Sequence, residues 1–244
     1  MKRLDLKVAA LLVAMSSGSA WAVNAPDLTK LNQTTFDSFA DDFTAAMSYK
    51  AVAPAEPLGI TGFDIGLEVT ATELTGVKDW GAAIGSTSLD IVPIPKVHLH
   101  KGLPFGLDLG AVYTSIPGLD VSYFGGEVRY SFLGGNVALP AIALRGTYTK
   151  VSGVKLLDMS TMGAELTISK GFLMLTPYAG VGQVMGSAKL DSDFKTLSGL
   201  KDGESSLFKT FAGLNFNMGL MNLAGEWDKT GDSTSYSLKF GFRF

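Results

Sequence analysis

The chain has 244 residues, 29 glycines and no cysteine; 46% of it is hydrophobic, only 18% is charged, and its formal charge is −3. Without cysteine, disulfide staples and a lipid anchor on an N-terminal cysteine are excluded, and an acidic balance argues against nucleic acid as a partner. High hydrophobicity without a later apolar run of ~20 residues excludes spanning helices and leaves a membrane β-barrel, where apolar and polar residues alternate.

Residues 1–22 read as an export signal. Lys2, Arg3 and Lys7 make a basic start, Val8 to Met15 is apolar, and Ala20-Trp21-Ala22 fits a small-residue cleavage site. Its removal leaves 17 basic and 22 acidic residues, a formal charge of −5.

Residues 23–57 read as an amphipathic helix and linker. The periodicity predicts a helix from Asp27 to Tyr49, with Leu28, Phe36, Phe39, Phe43, Ala46 and Met47 on one face and Lys30, Asp37 and Asp41 opposite. Asp27 is placed to cap it, and Pro54 and Pro57 end it in a short stiff linker. Two placements fit: a plug in a barrel lumen, presenting Phe36, Phe39, Phe43 and Met47, or a cap at the periplasmic mouth or membrane boundary.

From residue 58 to 244 the period is two, and ten segments alternate: 59–73, 88–100, 105–115, 119–132, 139–150, 157–170, 172–185, 206–218, 220–228 and 236–244. Their apolar faces carry no charge at mid-depth. The opposite register holds the candidate lumen-lining residues Asp64, Glu68, Lys96, His98, Asp108, Glu127, Arg129, Arg145, Glu165, Lys209, Glu226, Lys239 and Arg243. Mixed signs suggest ion pairs across a filled interior rather than a wide pore of one sign. Pro93 and Pro95 remove donors from the second segment and predict irregular pairing there. Short turns near 101–104, 133–135, 170–172 and 218–220 alternate with longer loops at 74–87, 151–157, 186–205 and 229–234.

The last segment alternates Tyr236, Leu238, Phe240, Phe242 and Phe244 with Ser237, Lys239, Gly241 and Arg243. Such an aromatic end suits a strand that closes a ring in lipid. With the export signal and the ten segments, it resembles a small Gram-negative outer-membrane β-barrel protein. Phe242 and Phe244 stand at the aromatic positions of that class's C-terminal assembly signal, and Lys239 departs from a position where glycine is usual. The resemblance implies a place in the outer membrane, contact with its lipid and lipopolysaccharide, and delivery by periplasmic chaperones to the barrel-assembly machinery. A helix followed by a barrel is also similar, by analogy only, to the plugged fatty-acid-transporter type.

The fold expected is an all-β membrane protein, a ten-stranded antiparallel transmembrane β-barrel with an N-terminal amphipathic helix. No Ser-His-Asp arrangement, phosphate loop or cysteine pair is visible, so no catalytic, cofactor-binding or metal residue is assigned and the chain reads as a non-enzyme. His98-x-His100 and Asp191-x-Asp193 are the nearest approaches to metal patterns; lumen hydrogen bonding and a solvated loop are their ordinary readings. The function expected is a plugged or narrow channel for passive or gated passage of a small polar or amphipathic molecule. The alternative is a non-transporting structural or adhesive barrel that acts through its loops. Oligomeric state is left open.

Overall fold

The computed structural model describes residues 30–81, 91–116, 121–154 and 156–244. Ten strands form it: β1 Phe63–Glu73, β2 Ile91–Gly102, β3 Leu107–Ile116, β4 Val121–Gly134, β5 Ala141–Ser152, β6 Leu157–Ser169, β7 Leu175–Leu190, β8 Gly203–Met218, β9 Met221–Thr230 and β10 Ser233–Arg243. Each pairs antiparallel with its sequence neighbours, and β10 returns to β1, so the sheet closes on itself. Closure runs from Asp64 opposite Arg243 to Glu73 opposite Thr234, and β9 meets β10 with Trp227 opposite Tyr236. The aromatic last strand leaves no free edge beside β1.

Alternation fixes which face looks inward. Leu67, Val97, Val128, Leu144, Leu166 and Leu214 are 44–60% exposed on the outside, while Glu68, Lys96, Arg129, Arg145 and Glu165 are 1–4% exposed inside. A water-soluble sandwich would have this arrangement reversed. Apolar outside and ionic inside is stable only with hydrocarbon around the barrel, which makes it a transmembrane barrel.

Several boundaries differ from the sequence expectation. The strands β7 and β8 run to Leu190 and from Gly203, so the loop between them is 191–202 rather than 186–205, and it contains the short helix Ser192–Ser198. The loop expected at 229–234 shrinks to a tight turn at 231–232, where Gly231 has φ 58. The turn expected at 133–135 instead occupies 135–140. Length therefore does not separate the two barrel ends as cleanly as the sequence suggested. Direction still does: β1, β3, β5, β7 and β9 all run from the turn end to the loop end. Pro93 and Pro95 do not interrupt β2, which pairs with β1 up to Ile91, but pairing with β3 begins only at Val97. Missing donors thus show on one side of that strand.

The N-terminal helix, α1, is Gln33–Met47; the short helix after β1, α2, is Val77–Trp80, and that in the 191–202 loop is α3. Asn32, not Asp27, caps α1: its side chain accepts from Thr35 N while Thr35 Oγ1 accepts from Asn32 N, a reciprocal box that satisfies two orphan donors. Residues 1–22, Asp27 and Leu28 lie outside the described residues.

Candidate functional site: the occupied lumen

The lumen is filled by the chain's own residues 33–57. Helix α1 sits at the loop end: Gln33 Nε2 donates to Lys201 O at 3.4 Å, and Asp42 bonds to the β1–β2 loop and to Ser233 at the head of β10. The cap at the turn-side, periplasmic mouth is not the arrangement seen. Of the plug candidates, Phe36 is fully buried and Phe39 is 7% exposed, while Phe43 and Met47 are partly buried against the same apolar cluster. The cluster joins them to Trp80 of α2 and to inward wall residues of the loop-end half, including Val112, Tyr123, Val151, Met159 and Leu190. Phe39 meets Trp80 edge-on at 5.3 Å. Glycine admits the helix on the wall: a Cβ on Gly186 would lie 1.8 Å from Thr44 Oγ1, and one on Gly203 2.9 Å from Ala40 Cβ.

Asp42 holds this arrangement. Buried at 3% exposure, it accepts from Gly76 N (2.8 Å), Trp80 Nε1 (2.8 Å), Thr75 N (3.1 Å) and Ser233 Oγ (3.1 Å). No cation is among these partners. With Thr75 Oγ1 at 3.4 Å, five neutral donors from the β1–β2 loop and the head of β10 stabilise the carboxylate, so it ties α1 to both.

Below α1 the chain does not form a linker outside the barrel; it descends the lumen as an extended thread. Thr149 Oγ1 donates to Met47 O (3.0 Å), Lys209 Nζ to Tyr49 O (2.8 Å), Arg129 Nη1 to Pro54 O (2.7 Å) and Ser131 Oγ to Ala55 O (2.6 Å). Leu58 N finally donates to Asp108 Oδ1 at 3.1 Å near the turn end. Fully extended, Tyr49 to Pro57 would reach at most about 26 Å at ~3.3 Å per residue, and the turn at Val52 shortens that reach. Small side chains permit the descent: Ala51, Val52, Ala53 and Ala55 are all 0–2% exposed. Val52 takes φ 44, an unfavourable value for a β-branched residue and a point of stored strain in the thread.

The wall is ionic at each level. Glu68 bonds to His98 and to Lys96 Nζ (2.6 Å), and Glu127 to Arg145 Nε (3.1 Å) and His100 Nε2 (3.3 Å). Glu165 takes both Arg145 Nη1 and Lys209 Nζ at 2.8 Å. Lower down, Asp108 accepts from Arg129 at 2.7 Å and Asp64 from Lys239 at 2.8 Å. The described lumen candidates are therefore brought together as neighbours along the wall, mostly between adjacent strands, rather than as pairs spanning an empty bore. Two stand apart. Glu226 is buried beside the Tyr178 hydroxyl and outside the ion pairs named above, and Arg243 borders an open pit of about 270 Å³ at the turn end, with Glu56, Pro57, Asn217 and Phe244.

The metal patterns resolve differently. His98 and His100 each meet a separate carboxylate, and among the described residues no three His, Cys, Asp or Glu side chains could share an ion. Asp191 accepts from Asp193 N and caps α3. Sequence reasoning missed Asp42, Tyr49 and Lys50. Of the two acids between Phe39 and Phe43, Asp42 falls nearer the apolar face than Asp41, and that was the available signal for it; Tyr49, whose hydroxyl lies 3.4 Å from His100 Nε2, and Lys50 were hidden in a segment read as a helix end.

No protein-family model matches the chain, and no curated protein matches its sequence. Among solved structures, the KdgM porin overlays with a TM-score of 0.37 at 9% identity, covering 75% of this chain and 99% of its own. The N-terminal β-barrel domain of Pseudomonas aeruginosa OprF gives 0.34 at 13%, over 73% and 97% of the two chains. The attachment invasion locus protein Ail of Yersinia pestis gives 0.31 at 13%, over 75% and 98%. Likeness at this level leaves function untouched. A closed ring of ten strands, an apolar exterior and a buried ionic lumen make this chain a small transmembrane β-barrel with an N-terminal helix.

Proposed function

We propose that the protein is a gated channel whose own residues 33–57 keep it closed, and that their displacement passes a small polar or amphipathic molecule. One observation carries the reading: beside the burial of its small side chains and Tyr49, the thread is held by wall cations and hydroxyls that donate to its backbone carbonyls. Water or a polar solute can take over such bonds, each worth only ~0.5–1.5 kcal/mol net, or up to ~3 where the donor is charged. The wall ion pairs other than Lys50–Asp228 lie within the wall itself, so displacement of the thread breaks that one buried pair and leaves the rest intact. The lumen carries an apolar cluster toward its loop end and buried ion pairs along the wall, which suits a solute with both characters.

A non-transporting barrel, built for rigidity or surface contact, is the competing reading, and one measurement separates them. In planar bilayers, a chain lacking residues 23–55 is expected to conduct steadily while the full chain is mostly closed. If the truncated, folded barrel conducts no better than the whole, the channel reading fails.

A further inference from the structure

The two ends of the barrel differ in the chemistry of their connections. At the loop end, 191–202 and 231–232 carry Asp191, Asp193, Lys195, Lys201, Asp202 and Asp232. At the turn end, 59–62, 103–106, 135–140, 170–174 and 219–220 carry a single ionisable residue, Lys170. Its ammonium is folded back onto the carbonyls of Val137 (2.8 Å), Asn136 (2.9 Å) and Leu139 (3.2 Å). Each turn-end segment instead exposes an apolar side chain: Ile60 is 66% exposed, Phe105 91%, Val137 99% and Leu220 63%, and Leu173 is completely exposed.

Two of these side chains stand on backbone that disfavours them. Phe105 takes φ 63 and Leu173 φ 55, both left-handed. They sit in tight turns, one closed by Leu103 N donating to Leu107 O at 2.8 Å, the other by reciprocal bonds between Phe172 and Leu175. At left-handed turn positions the local chemistry favours glycine, asparagine or aspartate. In water an exposed Phe or Leu there is penalised twice, by backbone strain and by the hydration of apolar surface. Nothing within the chain offsets this, since both side chains point away from it.

Their distribution identifies what covers them. Four of the segments join β2 to β3, β4 to β5, β6 to β7 and β8 to β9, and the fifth precedes β1 beside the end of β10, so the apolar tips are spaced round the whole closed ring. A docked protein would need a patch on one side, whereas lipid surrounds the barrel. The tips also continue the lipid-facing band, through Leu109, Phe132, Leu175 and Phe244, each 40–60% exposed. We propose that the turn-end rim is a lipid-binding surface, sunk into the layer of the turn-side leaflet where phospholipid acyl chains meet headgroups, with Phe105, Val137 and Leu173 as its anchors. The barrel then sits low in the bilayer, with its turns in lipid and the charged 191–202 loop in water. This holds whether or not the lumen conducts.

Single nitroxide labels test it, because the chain has no cysteine of its own. Full-length Phe105→Cys, Val137→Cys and Leu173→Cys are labelled and refolded into vesicles of phosphatidylethanolamine and phosphatidylglycerol. Collision rates are then measured with oxygen, which concentrates in lipid, and with a water-soluble nickel chelate. Leu144→Cys on β5 is the lipid reference; Leu197→Cys, 87% exposed on α3, is the water reference. At all three turns the nickel collision rate is expected to fall about threefold or more below that at Leu197→Cys, with the oxygen rate raised toward that at Leu144→Cys. Val137 is not left-handed, so its label reports even if those at Phe105 and Leu173 disturb their turns. Water-like rates at Val137 and at whichever other turns fold would overturn the proposal. So would a lipid-like label at one turn beside water-like labels at the other two, which is what a one-sided protein contact gives.

Discussion

Asp42 is the residue on which the position of α1 turns. Its carboxylate satisfies Gly76 N, Thr75 N, Trp80 Nε1 and Ser233 Oγ, and Asp42→Ala would strand buried donors at ~1–3 kcal/mol each. Relaxation of the exposed β1–β2 loop offsets part of this, so a loss of about 3 kcal/mol is expected in a denaturant titration, with a red shift of Trp80 fluorescence. An unchanged midpoint and spectrum would contradict the latch. The same logic explains why Lys50 matters more than its place in an apparent helix end suggested. Breaking one side of a buried ion pair costs ~3–5 kcal/mol, far above the ~0–1 kcal/mol of an exposed pair such as Lys150–Asp158.

At the scale of elements, the helix and thread make predictions about side and seat. Thr34 is exposed on α1 at the loop end, which the outer-membrane resemblance places at the cell exterior. In this cysteine-free chain, Thr34→Cys should react with a membrane-impermeant maleimide added to intact cells, whereas Ala55→Cys, packed against Ala141 and Ala143, should not. Equal protection of both would place α1 elsewhere. Gly186→Val puts a branched side chain where Thr44 now sits, so α1 should be expelled and Lys50 should become a trypsin site. Cleavage no faster than in the unaltered chain would contradict that seat.

The strands were readable because each has lipid on one face and charge on the other, so Leu144 and Arg145, or Leu67 and Glu68, fall into opposite registers by chemistry alone. Gly66, Gly110 and Gly213 fit the inward register for the same reason. The thread was not readable as such. Protein surrounds residues 48–57 on every side, so they carry no period of two, and Ala51-Val-Ala-Pro-Ala55 has the composition of a linker. Residue type said it was stiff and small, but only the wall donors reveal that it runs inside. Loop lengths misled for a related reason: β7 and β8 continue beyond the apolar band, up to Leu190 and from Gly203, to carry the contacts with α1, and nothing in a lipid-facing pattern requires strands that long.

At the scale of the whole molecule, lipid and ions divide the work. The exterior tolerates apolar exchange but not charge: Leu144→Arg, on the outer face of mid-β5, should destabilise the barrel by ~2–4 kcal/mol in a reversible folding titration, while Leu144→Ile should be near neutral. The interior is satisfied level by level by its own ion pairs and by one strand of its own sequence, and the account holds that this strand and its helix move to open the bore. Fixing the helix tests that most directly. A Cβ on Gly203 would lie 2.9 Å from that of Ala40, about 0.6 Å inside the disulfide range of ~3.5–4.5 Å, so with α1 set back by that amount Ala40→Cys/Gly203→Cys joins α1 to β8 in a chain with no other cysteine. Single-channel recordings of this variant should show openings under reducing conditions and none after oxidation. The same current in both states, open or closed throughout, would contradict the account.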